Sequence, residues 1–124
     1  MNKEDIREAM QDRIVWSGLN DIAKRNTAEM VIKRAYFMKG MQAPSGGEVF
    51  DFTTKELVNY LDKYYPNITE KELKITVDAG ARGELPCKDT FVSISNIQMW
   101  IKAYHSATEY TKAYEELYDS NRQG

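Results

Sequence analysis

The sequence predicts a single all-α domain of about five helices. Helix-start signals recur along it, each with a Ser, Thr or Asn three residues before a Glu or Gln. Between these signals apolar residues return every three or four positions, as they do on one face of a helix. The 124 residues are enough for one hydrophobic core, and a composition of 42% apolar and 29% charged residues is typical of a globular protein.

Two helices are predicted in the N-terminal part of the chain. Ile6 and Met10 lie four residues apart on one helix face. The sequence NTAE at 26–29 predicts the start of the next helix, and Gly40 is predicted to end it because glycine readily adopts positive φ. Residues 41–52 contain one Pro and two Gly, so we expect a loop there, with a short extended piece near its end.

A central helical hairpin is predicted for residues 54–65 and 69–80. Each helix begins with a capping box, in which a Thr oxygen accepts from a backbone amide and a Glu side chain reaches back to the cap. Pro66 ends the first helix because the residue before a proline is pushed out of the helical conformation. Gly80 is predicted to end the second.

One long helix is predicted from Ser95 to Tyr118, about 36 Å in length at 1.5 Å per residue. It begins with the signal SNIQ at 95–98. Residues just before it alternate between apolar and polar, as in a strand. A short β-ribbon between 48–52 and 90–94 is therefore an alternative for these segments.

The chain is read as one helical domain with three parts: N-terminal helices and a loop (1–49), a central part that carries the motifs (50–104), and an extended C-terminal helix and tail (105–124). We predict that most of the core comes from apolar residues of the central and C-terminal helices. These are Leu57, Leu61, Leu73, Val77, Ile97, Trp100, Ile101 and Tyr104.

Composition argues against several function classes. His105 and Cys87 are the only His and Cys, so we predict no metal, no cofactor and no disulfide. An enzyme using this pair is a third hypothesis, which lacks a third residue to orient the base. The N-terminus is charged from the start and no apolar run approaches the roughly 18 residues of a membrane span. We therefore predict a cytoplasmic, non-enzymatic protein.

The turn between the hairpin and the C-terminal helix is the first candidate partner site. Arg82 and Glu84 stand there without an obvious structural role, and a guanidinium on a tight turn suits a carboxylate or phosphate. A local salt bridge from Arg82 to Asp78, Glu84 or Asp89 is the alternative.

The tail of the long helix is the second candidate. Tyr110, Tyr114 and Tyr118 lie at four-residue spacing, and tyrosine stripes suit protein interfaces. We predict that this helix binds a protein partner or a second copy of the chain. The alternative is that the tail folds back onto the first helix.

A nucleic-acid-binding function is also open. Lys24, Arg25, Lys33 and Arg34 form a positive cluster around the second predicted helix, and the central hairpin could be a helix-turn-helix. The second helix of that hairpin mixes acidic and basic residues, which is unlike a DNA-reading surface.

The region 50–104 resembles a family of small helical proteins from phages and mobile elements of gut bacteria, which share a TxxE helix, a G-x-R-G-E turn and a W-x-x-A-Y helix. The matching residues are Thr69, Glu72, Gly80, Arg82, Gly83, Glu84, Trp100, Ala103 and Tyr104. Helix order and size are also similar to those of phage replication accessory proteins. The resemblance implies no catalytic residues. The lack of a catalytic constellation and the long tyrosine-bearing helix predict a non-enzymatic interaction module, and the second likeness implies a DNA-replication accessory factor. The alternative is a small DNA-binding regulator with a helix-turn-helix-like core.

Overall fold

The computed structural model describes residues 1–44, 47–87 and 91–123, with side chains as far as Tyr118. The all-α prediction is confirmed over these residues. The helices are α1 (Lys3–Met10), α2 (Asp21–Met38), α3 (Glu48–Tyr64), α4 (Glu70–Ala81), α5 (Ile94–Ser106) and α6 (Thr108–Gln123), with a 3₁₀ turn at Trp16–Gly18. None of the helices within the described ranges combines the length and apolar character needed to cross a lipid bilayer.

Helix α4 lies at the centre of the domain and packs against α1, α2 and α5. Helix α3 packs on α2 and α5, and α6 packs on α1 and α5. All eight predicted core residues are buried with 0% exposure. They join Trp16 and the inner face of α2 in the main cluster, except for Tyr104, which forms a second cluster with Ile6 and Ala113.

The capping box predicted at the start of α4 is confirmed. The Thr69 hydroxyl oxygen accepts from the Glu72 amide, and Glu72 Oε1 accepts from the Thr69 amide, both at 3.1 Å. The Thr69 hydroxyl also donates to the carbonyl of Ala9 at 2.6 Å. The cap therefore joins α4 to the end of α1 as well as starting a helix.

The other predicted helix starts are wrong by two to six residues. Helix α2 begins after Asn20, whose side chain accepts from the Ala23 amide at 2.8 Å. Helix α5 begins after Ser93, which accepts from the Asn96 amide at 3.2 Å. Each true cap lies upstream of the predicted one, which is inside the helix. A local motif does not show which of two successive capping candidates begins the helix.

Helix α3 starts five residues before its predicted cap, at Glu48. The hydroxyls of Thr53 and Thr54 donate to the carbonyls of Val49 and Phe50, one helical turn earlier, so neither threonine caps the helix. The extra turn buries Phe50 in the main core, which favours helix over loop. Gly47, with φ +103°, provides the bend that leads into it.

The β-ribbon that the sequence left open does not form among the described residues. Residues 48–52 are helical, and Ile94 already belongs to α5; Thr90 lies outside the described residues, as do Ser45 and Gly46 of the predicted loop. The extended contact found among the described residues is an isolated antiparallel bridge between Val15 and Thr69.

Gly80 does not end α4, which continues to Ala81. A Cβ at Gly80 would lie 2.1 Å from Cδ2 of Trp100, so this glycine allows α4 and α5 to approach closely. The left-handed residue that ends the helix is Gly83, with φ +76°.

The predicted long C-terminal helix is two helices. Ala107 between them is extended, with ψ 144°, and interrupts the helix. Helix α6 then packs along α1, where Ala113 joins the second core cluster and Lys3 forms an ion pair with Glu116 at 2.5 Å. Burying α6 on α1 stabilises the break, so the tail folds back onto the first helix.

Candidate functional site

A groove of about 1470 Å³ lies over α4, with α1 and α2 as its walls. We call it the α1–α2 groove. It exceeds the roughly 300–1,000 Å³ of most small-ligand sites, so its dimensions suit part of another macromolecule. On α2, the lining residues Met30, Lys33, Arg34 and Phe37 follow the spacing i, i+3, i+4, i+7 and therefore share one helix face. Phe37 is 66% exposed and Met30 38% exposed.

The floor of the groove is one face of α4, formed by Lys71, Lys74, Ile75 and Asp78. The end of α1 is held at the start of this helix, because the Asp12 carboxylate accepts from the Lys71 amide at 3.1 Å. The segment that follows α1 thus caps α4, and this contact holds α1 in place as one wall of the groove.

Charges of both signs line the groove. Asp5 and Glu8 provide the acidic wall on α1, whereas Arg34 from α2 binds Asp78 on the floor at 2.7 Å. Within the described part of the chain, the side chains of Asp5 and Glu8 form no ion pair or hydrogen bond. This wall is therefore able to attract a basic partner segment.

Arg82 and Glu84 both line the α1–α2 groove at the end of α4. The Arg82 guanidinium donates to both carboxylate oxygens of Glu84, at 3.1 and 3.2 Å, and the two side chains are 47% and 44% exposed. The left-handed Gly83 turns the chain so that the pair can form. The predicted local salt bridge is therefore present; Asp89, another predicted partner, lies outside the described residues.

The four basic residues of the DNA-binding hypothesis point to different neighbours. Lys24 binds Asp62 at 2.9 Å, and Arg25 binds Glu29 at 3.3 Å. The Lys33 ammonium lies 5.8 Å from the ring centroid of Phe50 on α3. Arg34 is turned towards α4, as described above. Each residue thus has a partner within the chain, and these partners lie on α2, α3 and α4.

The predicted tyrosines lie in a second, smaller site of about 290 Å³. We call this site the tyrosine pocket and define it by Tyr65, His105, Tyr110, Tyr114 and Tyr118, with Glu72 beneath them. Ring centroids are 4.0 Å apart for Tyr65 and His105, and 5.0 Å apart for His105 and Tyr110. The row continues along α6 with separations of 6.2 and 4.3 Å.

Glu72 is the buried acid of this pocket, with 5% exposure. Its Oε2 accepts from the Tyr104 hydroxyl at 2.5 Å, while Oε1 accepts from the Thr69 amide. Burial raises the pKa of Glu72 above its ordinary value, although these hydrogen bonds oppose that shift. Burial, followed by the charge of Glu72, raises the pKa of Tyr110 to about 12.

His105 and Cys87 have different surroundings. His105 Nδ1 lies 2.8 Å from the carbonyl oxygen of Ile101, and burial lowers the pKa of the imidazole. Cys87 packs at the edge of the main core, where its Sγ lies 3.9 Å from Oδ1 of Asn96. In the regions that the structure describes, His, Cys, Asp and Glu side chains form no group able to hold a metal ion.

No protein-family model matches the chain, and neither a curated protein nor a solved structure shows significant similarity to it.

Sequence reasoning missed two features of these sites. The α1–α2 groove depends on helices that are distant in sequence, although Met30 and Phe37 share a spacing that could have indicated an apolar face. The contact of Glu72 with Tyr104 joins residues 32 positions apart, so no local sequence pattern indicates it.

Proposed function

We propose that this chain is a protein-interaction module that binds an amphipathic helix of a partner in the α1–α2 groove. The observation that carries the proposal is the exposed apolar face of α2 within the groove, where Phe37 is 66% and Met30 38% exposed. A partner helix would bury this face as it inserted its own apolar residues, which is a common mode of peptide recognition.

The lining supports a helical occupant. Met1, Met30 and Met38 all line the groove, and flexible thioether side chains adapt to the shape of an inserted apolar surface. On the α1 wall, Asp5 and Glu8 are available for Lys or Arg residues along one edge of the partner. We therefore expect the partner helix to be apolar on one face and basic beside it.

The resemblance supports a biological setting for this module. We propose that the chain comes from a phage or mobile element and serves as a DNA-replication accessory factor, with a replication protein as the partner. The turn residues Arg82 and Glu84, which carry part of the resemblance, lie on the rim of the same groove. Replication genes beside its own would support this setting, whereas capsid or portal genes would contradict it.

A selection of helical peptides tests the binding function. Displayed peptides of roughly 18 residues, or five helical turns, would be enriched on the protein and their affinities measured by calorimetry. The Phe37→Glu variant places a charge in the groove, and we expect it to weaken binding at least about tenfold.

Ile22→Glu is the matched control for this experiment. Ile22 lies on the same helix, is 73% exposed and does not line the groove, so this variant should bind like the original protein. Circular dichroism would verify that both variants remain folded. Equal binding by the original protein and Phe37→Glu would contradict the groove as the site.

The DNA-binding alternative stays a prediction and has its own test. Changing Lys24, Arg25, Lys33 and Arg34 to Ala should weaken salt-dependent binding to duplex DNA if this alternative holds. An anisotropy titration that remains flat at low salt would contradict it.

A further inference from the structure

We propose that the tyrosine pocket binds a methylated ammonium group, as found in choline or in a trimethylated lysine side chain. This site is separate from the α1–α2 groove, and no described residue lines both. The proposal rests on the aromatic lining of the pocket and on the charge beneath it.

The aromatic lining comes from two sides of the molecule. Tyr65 and His105 stack with their ring planes 19° apart, and Tyr110, Tyr114 and Tyr118 follow along one face of α6. Tyr114 and Tyr118 are 46% and 48% exposed, so their rings are accessible to a ligand. The faces of aromatic rings attract cations, and clusters of such rings are the usual site for quaternary ammonium groups.

The described side chains that line the pocket carry charge of one sign. Among them there is no Lys or Arg, and Glu72 is the one carboxylate. The hydrogen-bond donors to Glu72 are the neutral groups of Tyr104 and Thr69, so within the described residues no cation compensates this buried acid. An ammonium ligand would supply the missing positive charge.

Methylation of the ammonium matches the character of the lining. Both Glu72 oxygens already accept hydrogen bonds, so the carboxylate would act on the ligand mainly through its charge. A bare ammonium is strongly hydrated and would lose its water among rings and the apolar side chains of Met10 and Leu117. Methyl groups reduce that cost and increase the contact with the rings.

A proline-rich segment is the main competing occupant, because such segments also dock on aromatic grooves. It would make no use of the buried carboxylate. The charge of the pocket therefore favours the cation, and the experiment separates the two.

The test is an NMR and calorimetric titration of the full chain with tetramethylammonium and choline. The neutral analogue of choline, with a tert-butyl group in place of the trimethylammonium, has the same shape without the charge. We expect the cations to bind and to shift the resonances of Tyr114 and Tyr118, with the neutral analogue at least about fivefold weaker. A peptide with trimethyl-lysine that binds more tightly than choline would identify a modified protein as the source of the group. Tighter binding of choline would identify a small molecule.

Variants complete the experiment. Tyr114→Leu and Glu72→Gln should each weaken tetramethylammonium binding at least about fivefold, whereas Phe52→Leu, which changes an exposed ring outside the pocket, should leave it unchanged. Because Tyr114 is half exposed, its variant should fold even if the one at Glu72 does not. Equal affinity for the neutral analogue, or binding of a polyproline peptide without binding of the cations, would overturn the proposal. Phe37→Glu should not affect this titration, so the two proposals fail separately.

Discussion

In the α1–α2 groove most charged side chains lie at the surface, and the buried Asp78 is paired with Arg34, whereas the tyrosine pocket places one carboxylate without a cationic partner beneath its described rings. The groove pair Arg82–Glu84 is nearly half exposed, and Glu72 in the pocket is 5% exposed. Exposed pairs contribute little to stability because water screens them, but a buried acid interacts strongly with its surroundings. We therefore expect substitutions in the groove to alter binding alone, and substitutions beneath the pocket to alter binding and folding together.

The largest expected effect is that of Glu72→Ala. This change removes half of the capping box and leaves the buried Tyr104 hydroxyl without its acceptor, so the free energy of unfolding should fall by about 2–4 kcal/mol. Urea denaturation would measure it, with Glu70→Ala as the control in the same helical turn. Among the described residues the Glu70 carboxylate pairs with Lys74, four residues later, and losing this partly exposed pair should cost about 0.5 kcal/mol. Equal losses would show that the buried acid has no special role.

Tyr104→Phe should have the next largest effect. It removes the hydroxyl that donates to Glu72 Oε2 and keeps the buried ring, so we expect a loss of about 1–2 kcal/mol in the free energy of unfolding. Tyr114→Phe is the control, because Tyr114 is half exposed and water can replace its contacts. A neutral result for Tyr104→Phe would contradict a strong buried hydrogen bond.

The change of stability with pH should be smaller than the losses in these two variants, and its direction follows from the pKa of Glu72. Burial raises the pKa of Glu72 in the folded protein above its ordinary value of 4.5, so the folded state binds this proton more tightly than the unfolded state. The stabilising contribution is complete below pH 4.5 and is lost as the pH rises through the folded pKa. Subtracting the profile of Glu72→Gln from that of the original protein should show this fall. A difference that rises with pH would contradict the raised pKa.

The smallest effect on folding is expected in the groove. Arg82→Ala and Glu84→Ala should each change the free energy of unfolding by less than about 0.5 kcal/mol, because their ion pair is exposed. Thermal unfolding of the two variants and of the double variant would test this expectation. A loss above 1 kcal/mol in either single variant would give the turn a structural role that the geometry does not indicate.

Local patterns predicted the helical class, the eight core residues and the cap at Thr69 because helix spacing and capping depend on neighbours in sequence. They did not predict the break at Ala107, which depends on how α6 buries Ala113 against α1. They also assigned Gly80 to a helix end, although its role is to contact Trp100 on another helix. The tyrosines were predicted as a site, but their position above Glu72 arises from tertiary packing.

The proposed function depends most directly on where a selected helical peptide binds. Amide chemical shifts of the labelled protein would be followed during titration with that peptide. We predict that the largest changes occur at Met30, Phe37 and Ile75, which line the α1–α2 groove, and that they disappear in Phe37→Glu but persist in Ile22→Glu. Changes centred instead on Tyr114 and Tyr118, with the groove unaffected, would contradict the assignment of the groove as the partner site.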